Sequence, residues 1–285
     1  MTKKNKGIIC IIMAAFFFSL MTVCVRLAGD LPTAQKTVFR NLVAAVVSWT
    51  MLLKSGKKIK IDKSNVWDLI ARAFFGTLGL ICNFYAIDKL NISDANMLNK
   101  LSPFFAIVMS ILILKEYPSK KEWISVVIAF IGAVFVIKPG FSIVSKYAFI
   151  GLLGGLGAGI AYTFVRKLGK KGVDGTIIVM FFSTFSTIVL LPAFIASYKP
   201  MDLKQVIILL LAGITATGGQ LSITKAYTYA PAKEISVYDY TQVVFAAIWG
   251  FLFFGQIPDV YSYIGYGIIL IATLLKFFNN KKIAL

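Results

Sequence analysis

The chain has 285 residues, 58 % of them hydrophobic and only 15 % charged, with a mean hydropathy of +0.81. A soluble domain carries roughly 25 % charged residues, and one globular core cannot hide this apolar excess, so lipid is the solvent that accepts it. The net charge of +18 sits in short basic clusters between apolar runs, the pattern of loops facing anionic lipid, which argues against nucleic acid as a partner.

A membrane-crossing helix needs roughly 20 apolar residues. In chain order the candidate spans are 7–28, 35–54, 66–87, 92–114, 122–138, 147–167, 176–197, 204–228, 232–254 and 260–278. The first run imitates a leader peptide, but it is long enough to cross and lacks a small-residue cleavage site, so it reads as a retained helix. Turn residues punctuate the rest: Asp30-Leu31-Pro32, Lys54-Ser55-Gly56, Tyr117-Pro118, Pro139-Gly140, Lys199-Pro200 and Ile257-Pro258. The loops are too short for a separate soluble domain.

Orientation follows from Lys and Arg. With the N-terminus inside, twenty basic residues flank the inner side, from Lys3, Lys4 and Lys6 through Lys54, Lys57, Lys58, Lys60 and Lys63 to Lys281 and Lys282. Only seven flank the outer side: Arg26, Lys36, Lys89, Lys138, Lys146, Lys199 and Lys204. This bias places both ends in the cytoplasm and requires an even number of spans.

At an offset of 140 residues, five spans map onto five spans with almost no gaps. Val25-Arg26 meets Val165-Arg166, Gly79 meets Gly219, Phe105-Ala106 meets Phe245-Ala246, and Pro118 meets Pro258. Five is odd, so the second copy enters the membrane upside down. The fold class is therefore an all-α membrane protein of ten transmembrane helices in a 5 + 5 inverted repeat, with copies at 1–140 and 141–285 and a site near the midplane between them.

Several pieces then resemble a known family. They are Arg40, the stretch Ala86-Ile87-Asp88-Lys89-Leu90 into Ser93-Asp94-Ala95, Leu101-Ser102-Pro103-Phe104-Phe105-Ala106, and Leu114-Lys115-Glu116. The second copy offers Ala226-Tyr227-Thr228-Tyr229-Ala230-Pro231-Ala232, Phe245-Ala246-Ala247 and Phe254-Gly255-Gln256. Their order resembles the drug/metabolite transporter superfamily, and within it the EamA-type ten-helix carriers. Two departures are Gln256, where the family often has Glu, and a ninth span without the proline that the fourth has at Pro103. The resemblance implies alternating access around a central cavity and leaves the substrate open among amino acids, nucleotide-like metabolites, sugars, cationic drugs and S-adenosylmethionine.

Three ionisable residues stand out as deep, where a charge costs at least roughly 2.5–3.5 kcal/mol. They are Arg40, Lys100 and Asp239. Lys100 and Asp239 each lie eight residues into symmetry-related spans, about 12 Å from opposite edges, and so near one depth. They form a pair, share a polar solute, or make a structural bridge that only locks packing. The fourth span puts Asn96, Asn99, Lys100 and Pro103 on one face, and the ninth puts Asp239, Gln242, Ala246 and Trp249 on one face. Asn83, Gln220 and Tyr238 join them as candidate lining. Arg26 and Arg166 read as snorkelling to the interfaces, and Asp94 and Glu234 as helix-start charges. Tyr227, Tyr229, Tyr240, Trp67 and Trp123 read as interfacial belts. Gly151, Gly155 and Gly159 form a doubled GxxxG that packs against the other copy or, alternatively, makes a homodimer.

The absence of histidine removes the usual general base and the commonest metal ligand. Cys10, Cys24 and Cys82 lie in apolar runs without CxxC spacing. No cofactor, metal or catalytic group is expected, and the chain reads as no enzyme. The expected function is secondary transport of a small polar or zwitterionic metabolite, such as an amino acid or S-adenosylmethionine-like solute, across the plasma membrane. The alternatives are a multidrug or cation exporter, a passive channel and a membrane-embedded enzyme. Proton or ion coupling stays open.

Overall fold

The computed structural model describes residues 2–55, 61–115, 117, 119–137, 143–229 and 236–282. Lys57, Lys58, Lys60, Glu116, Pro118, Lys138, Pro139-Gly140, Pro231-Ala232, Lys233 and Glu234, all singled out in the sequence, lie outside the described residues. Within them the fold is all-helical: α1 Lys3–Leu27, α2 Thr33–Lys54, α3 Lys63–Lys89, α4 Ile92–Asn99, α5 Ser102–Leu114, α6 Lys120–Ile137, α7 Ile143–Lys170, α8 Gly175–Ala196, α9 Leu203–Tyr229, a 3-10 turn Ser236–Tyr240, α10 Thr241–Phe254 and α11 Val260–Lys282. The fourth span is thus α4 plus α5, and the ninth is the 3-10 turn plus α10.

Among the described residues, six helical stretches are long and apolar enough to cross a membrane on their own composition, Asn5–Leu27 and the combined Ile92–Leu114 being two of them. The second span is not among them, because α2 is inside-out. Its buried face carries Gln35, Lys36, Thr37, Arg40, Asn41 and Ser48, while Leu42, Val46, Trp49 and Leu53 face outward. Such a helix is stable only where the outer solvent is hydrocarbon and the interior is polar.

The helices pair mostly across the two sequence copies. α3 packs on α7 and α8, and α7 on α4 and α5. In mirror fashion α9 packs on α1 and α2, and α1 on the 3-10 turn and α10. α2 meets α8, α4 meets α10, and α6 meets α11. Shifting every span by five maps this pattern onto itself, as a pseudo-two-fold in the membrane plane requires. The result is two interleaved bundles, α3–α4–α5–α7–α8 and α9–α10–α1–α2, with α6 and α11 paired beside them.

Symmetry also governs where helices break. Pro103 has no N–H to offer, so the helix cannot run through it unbroken. The chain tightens instead, with Leu101 N–H bonding Leu98 O at 3.2 Å and Phe104 N–H bonding Leu101 O at 2.9 Å. The ninth span has no proline, yet it breaks at the corresponding place, Ser236–Tyr240. The helices after the breaks end alike. Lys115 caps α5 in the left-handed region at φ 54°, and its mate Gly255 caps α10 at φ 61°.

Glycine sets the tightest contact. A Cβ on Gly157 would lie 2.8 Å from Gly79 Cα, and one on Gly155 would lie 2.6 Å from Leu98 O. The α7 glycines therefore seat that helix between α3 and the break in the fourth span, which is packing against the other copy. Gly157→Ala is expected to cost about 1–3 kcal/mol, read as a lower melting temperature in detergent. Lys115→Gly, which removes a left-handed lysine, is expected to raise stability by about 1 kcal/mol; a fall in melting temperature would contradict the cap assignment.

Candidate functional site

The two helix breaks meet between the bundles. Lys100 ends α4, where the negative end of a helix dipole favours a cation, and Asp239 precedes α10, where the positive end favours an anion. Their side chains form a buried ion pair, Nζ to Oδ2 at 2.6 Å. The Tyr240 hydroxyl donates to Lys100 O at 2.8 Å, taking up a carbonyl near the break. Tyr240 is therefore a buried structural donor and not an interfacial residue as its sequence position suggested, because the break carries it inward.

Beside this junction lies a cavity of about 100 Å³. Of the ten candidate residues, Arg40, Asn83, Asn99, Lys100, Gln220 and Gln242 line it. Four do not. Asn96 is used internally, accepting from Gln242 Nε2 and donating to Ile92 O at 2.6 Å. Trp249 donates to Ser19 Oγ at 3.0 Å. Tyr238 packs with Ile11 and Ala226. Asp239 reaches the cavity only through Lys100.

Arg72 and Tyr162 also line the cavity, and Arg72, six residues into the third span, was not among the charges singled out as deep. A subtractive signal marks it. The loops and span ends account for twenty-seven of thirty basic residues, and the three left over are Arg40, Arg72 and Lys100. Arg40 and Arg72 are 5 % and 4 % exposed. Both guanidinium groups face the ring of Phe182, at 5.8 Å and 3.9 Å from its centroid. Arg40 Nη1 donates to Asn41 Oδ1 at 2.5 Å, and Asn41 donates on to Ser186 at 2.7 Å. Arg40 Nε, Arg72 Nε and Nη1, and Asn83 Oδ1 have no hydrogen-bond partner. No carboxylate among the described residues pairs with either arginine.

The contacts between the bundles differ at the two ends of the molecule. At one end Arg26 donates to Ile87 O and, at 2.7 Å, to Leu90 O, so it binds the end of α3 and does not snorkel as expected. Lys36, fully buried, pairs with Asp88 at 2.7 Å. Gln35 exchanges two hydrogen bonds with the backbone of Lys199, and Gln256 accepts from Ile92 N–H at 3.0 Å. These links, Gln35–Lys199 apart, join one bundle directly to the other. At the other end Leu52, Ile177 and Met180 make an apolar seam, while the Asp68 pairs to Lys167 and Lys171 stay within one bundle. A crevice of about 20 Å³ shares Gln220 with the cavity and runs toward Met51 and Gly175 at that end. No group of metal-ligating residues occurs among the described residues.

The family model described as the EamA-like transporter family matches twice, at residues 5–138 and 145–278. The pseudopaline exporter CntI of Pseudomonas aeruginosa is 31 % identical over 282 residues, covering 98 % of each chain. Human solute carrier family 35 member G1 is 24 % identical over 297 residues, covering 97 % of this chain and 81 % of that one. A solved crystal structure at 13 % identity superposes with a TM-score of 0.67 over 98 % of this chain and 99 % of the other, which supports the fold alone. A family model matched twice, on helices whose contacts repeat every five spans, gives the conclusion that this chain is a multi-pass membrane transporter belonging to the EamA-like transporter family, within the drug/metabolite transporter superfamily.

Proposed function

We propose that the chain is a secondary transporter that carries a small polar metabolite with acidic groups across the plasma membrane by alternating access, with both termini in the cytoplasm. The observation that carries this reading is a cavity lined from both bundles by Arg40, Arg72, Asn83, Lys100, Gln220 and Gln242 beside the junction of two broken helices. The units that move against each other are the interleaved bundles, while the copies 1–140 and 141–285 are units of symmetry. The basic bias of the loops puts the Lys36–Asp88 end outside and the apolar seam inside.

The cavity favours an acidic solute over the zwitterion suggested by sequence, because Asp239 is already engaged by Lys100 and the remaining charges are cations. Arg40 and Arg72 equally disfavour a multidrug cation exporter. A relative named as an exporter of pseudopaline supports outward movement of a metabolite. The bland role for Lys100–Asp239, a bridge that only locks packing, makes a different prediction from a role in transport.

A thermal-shift screen of amino acids, dicarboxylates, nucleosides and S-adenosylmethionine identifies a ligand, which is then followed by counterflow in liposomes. Lys100→Ala leaves a buried carboxylate alone and is expected to cost about 3–5 kcal/mol. Lys100→Ala/Asp239→Ala is expected to regain most of that stability while transport stays low; native-rate transport by the double variant would reduce the pair to a structural bridge. Single-cysteine labelling is expected to reach position 63 from the cytoplasm and position 199 from outside, and labelling of both from one face would end the inverted topology.

A further inference from the structure

We propose that the transported solute is an organic dianion whose two negative oxygen groups bridge Arg40 and Arg72 across Phe182, so that each outward turnover carries its negative charge with the membrane potential. This deepens, and rests on, the transporter reading above.

The charge balance of the cavity is the first argument. Lys100 and Asp239 cancel at 2.6 Å. Arg40 and Arg72 remain, two cations buried at membrane depth with no carboxylate partner among the described residues. Like charges sharing one cavity repel, and the negative face of Phe182 offsets only part of this. A ligand with two negative groups cancels the excess, whereas a zwitterion adds nothing to the balance and a cation worsens it.

Donor geometry is the second argument. Arg72 holds two unmatched N–H donors, Nε and Nη1, and Arg40 holds Nε. Nε with Nη2 is the edge of a guanidinium that binds a carboxylate or phosphate through two parallel hydrogen bonds, so each arginine brings an unmatched Nε to that edge, while Arg72 Nη1 lies on the other side of the group. Arg40 comes from one bundle and Arg72 from the other, so a solute touching both closes the cavity around itself. Asn83 Oδ1, also unmatched, offers one acceptor to a hydroxyl or amine on the same solute.

The consequence is energetic. The site is fixed near the midplane, so the charge moved per cycle is the solute's own. One charge gains a factor of ten in gradient per roughly 59 mV, so an inside-negative potential of about 100 mV sustains a roughly 10³-fold outward gradient of a dianion. No co-transported ion is needed to drive export.

The test uses purified full-length protein with succinate, glutarate, glycerol 3-phosphate, L-glutamate, L-glutamine and putrescine as probes. The dianions are expected to raise the melting temperature, and glutamine and putrescine to leave it unchanged. A stronger shift from the phosphate ester assigns the anionic group as phosphate, and a stronger shift from the dicarboxylates assigns it as paired carboxylates. Arg72→Gln is expected to weaken the dianions by roughly tenfold or more and move preference toward the monoanion glutamate. Because it removes an uncompensated charge, the ligand-free variant is expected to melt at or above the native temperature, whereas a structural arginine would lower it. Arg72→Lys is expected to keep the charge preference with weaker binding. In liposomes preloaded with the best-binding dianion, a valinomycin-set inside-negative potential is expected to speed efflux and an inside-positive one to slow it. Best binding by glutamine or putrescine, no shift from any dianion, or efflux equal under both potentials overturns the proposal. Dianion binding with no counterflow at any potential overturns the transporter reading and leaves the anion site standing.

Discussion

The meeting of two half-helix ends in a water-poor interior is the constraint on which the rest of this molecule depends. Breaking a helix at membrane depth frees backbone groups and exposes the ends of two dipoles, and each must be answered by protein because lipid offers nothing. The answer is local, and among the described residues at the junction it leaves only Asp239 Oδ1 unmatched. Lys100 and Asp239 occupy the ends that suit their charge and bind each other, and Tyr240 takes a carbonyl at the break. The α7 glycines then let that helix approach the broken backbone closely enough to exclude lipid. Without this sealed junction the cavity beside it would have no floor.

The frame is symmetric and the chemistry is not. Lys100 and Tyr240 occupy equivalent positions and bond to one another, while Asp239 is the equivalent of Asn99. Arg40 corresponds to Met180 and Arg72 to Ala212. The contact of Gly79 with Ala158 has its counterpart in Gly219 against the ring of Phe18. Equivalence therefore sets where helices run, break and end. Substitution on top of it places positive charge in the cavity, and it does so from both bundles, since Arg40 belongs to one and Arg72 to the other.

Much of this frame was readable before any coordinates. Runs of about twenty apolar residues gave the spans, and the register at 140 residues gave the inversion. Depth along two related spans brought Lys100 and Asp239 together, because rise per residue is fixed in a helix. What failed were judgements about side chains near span ends. Arg26, Lys36 and Tyr240 looked interfacial by position, yet each is drawn to a polar partner inside the bundle. Arg72 lies six residues into the third span, at least as far in as Arg40 in the second, so depth along the helix marked both alike. Long polar side chains reach several ångströms from their Cα, and a one-dimensional depth cannot say in which direction.

Where polar atoms go unsatisfied is itself informative. Of seven buried side-chain atoms without a hydrogen-bond partner among the described residues, five belong to Arg40, Arg72, Asn83 and Asp239. The polar groups just behind them, Asn96, Gln242, Thr22, Ser19 and Trp249, are bonded to one another or to backbone. The bonded groups sit on α1, α4 and α10 and the unmatched ones mainly on α2 and α3, with Gln242 both bonded and lining the cavity. Unsatisfied buried donors lower stability by about 1–3 kcal/mol each, and random packing faults would scatter them through the bundle. Their concentration around one cavity marks the place where a small rearrangement of Arg40, Arg72 and Asn83 would give a polar solute the most to bind.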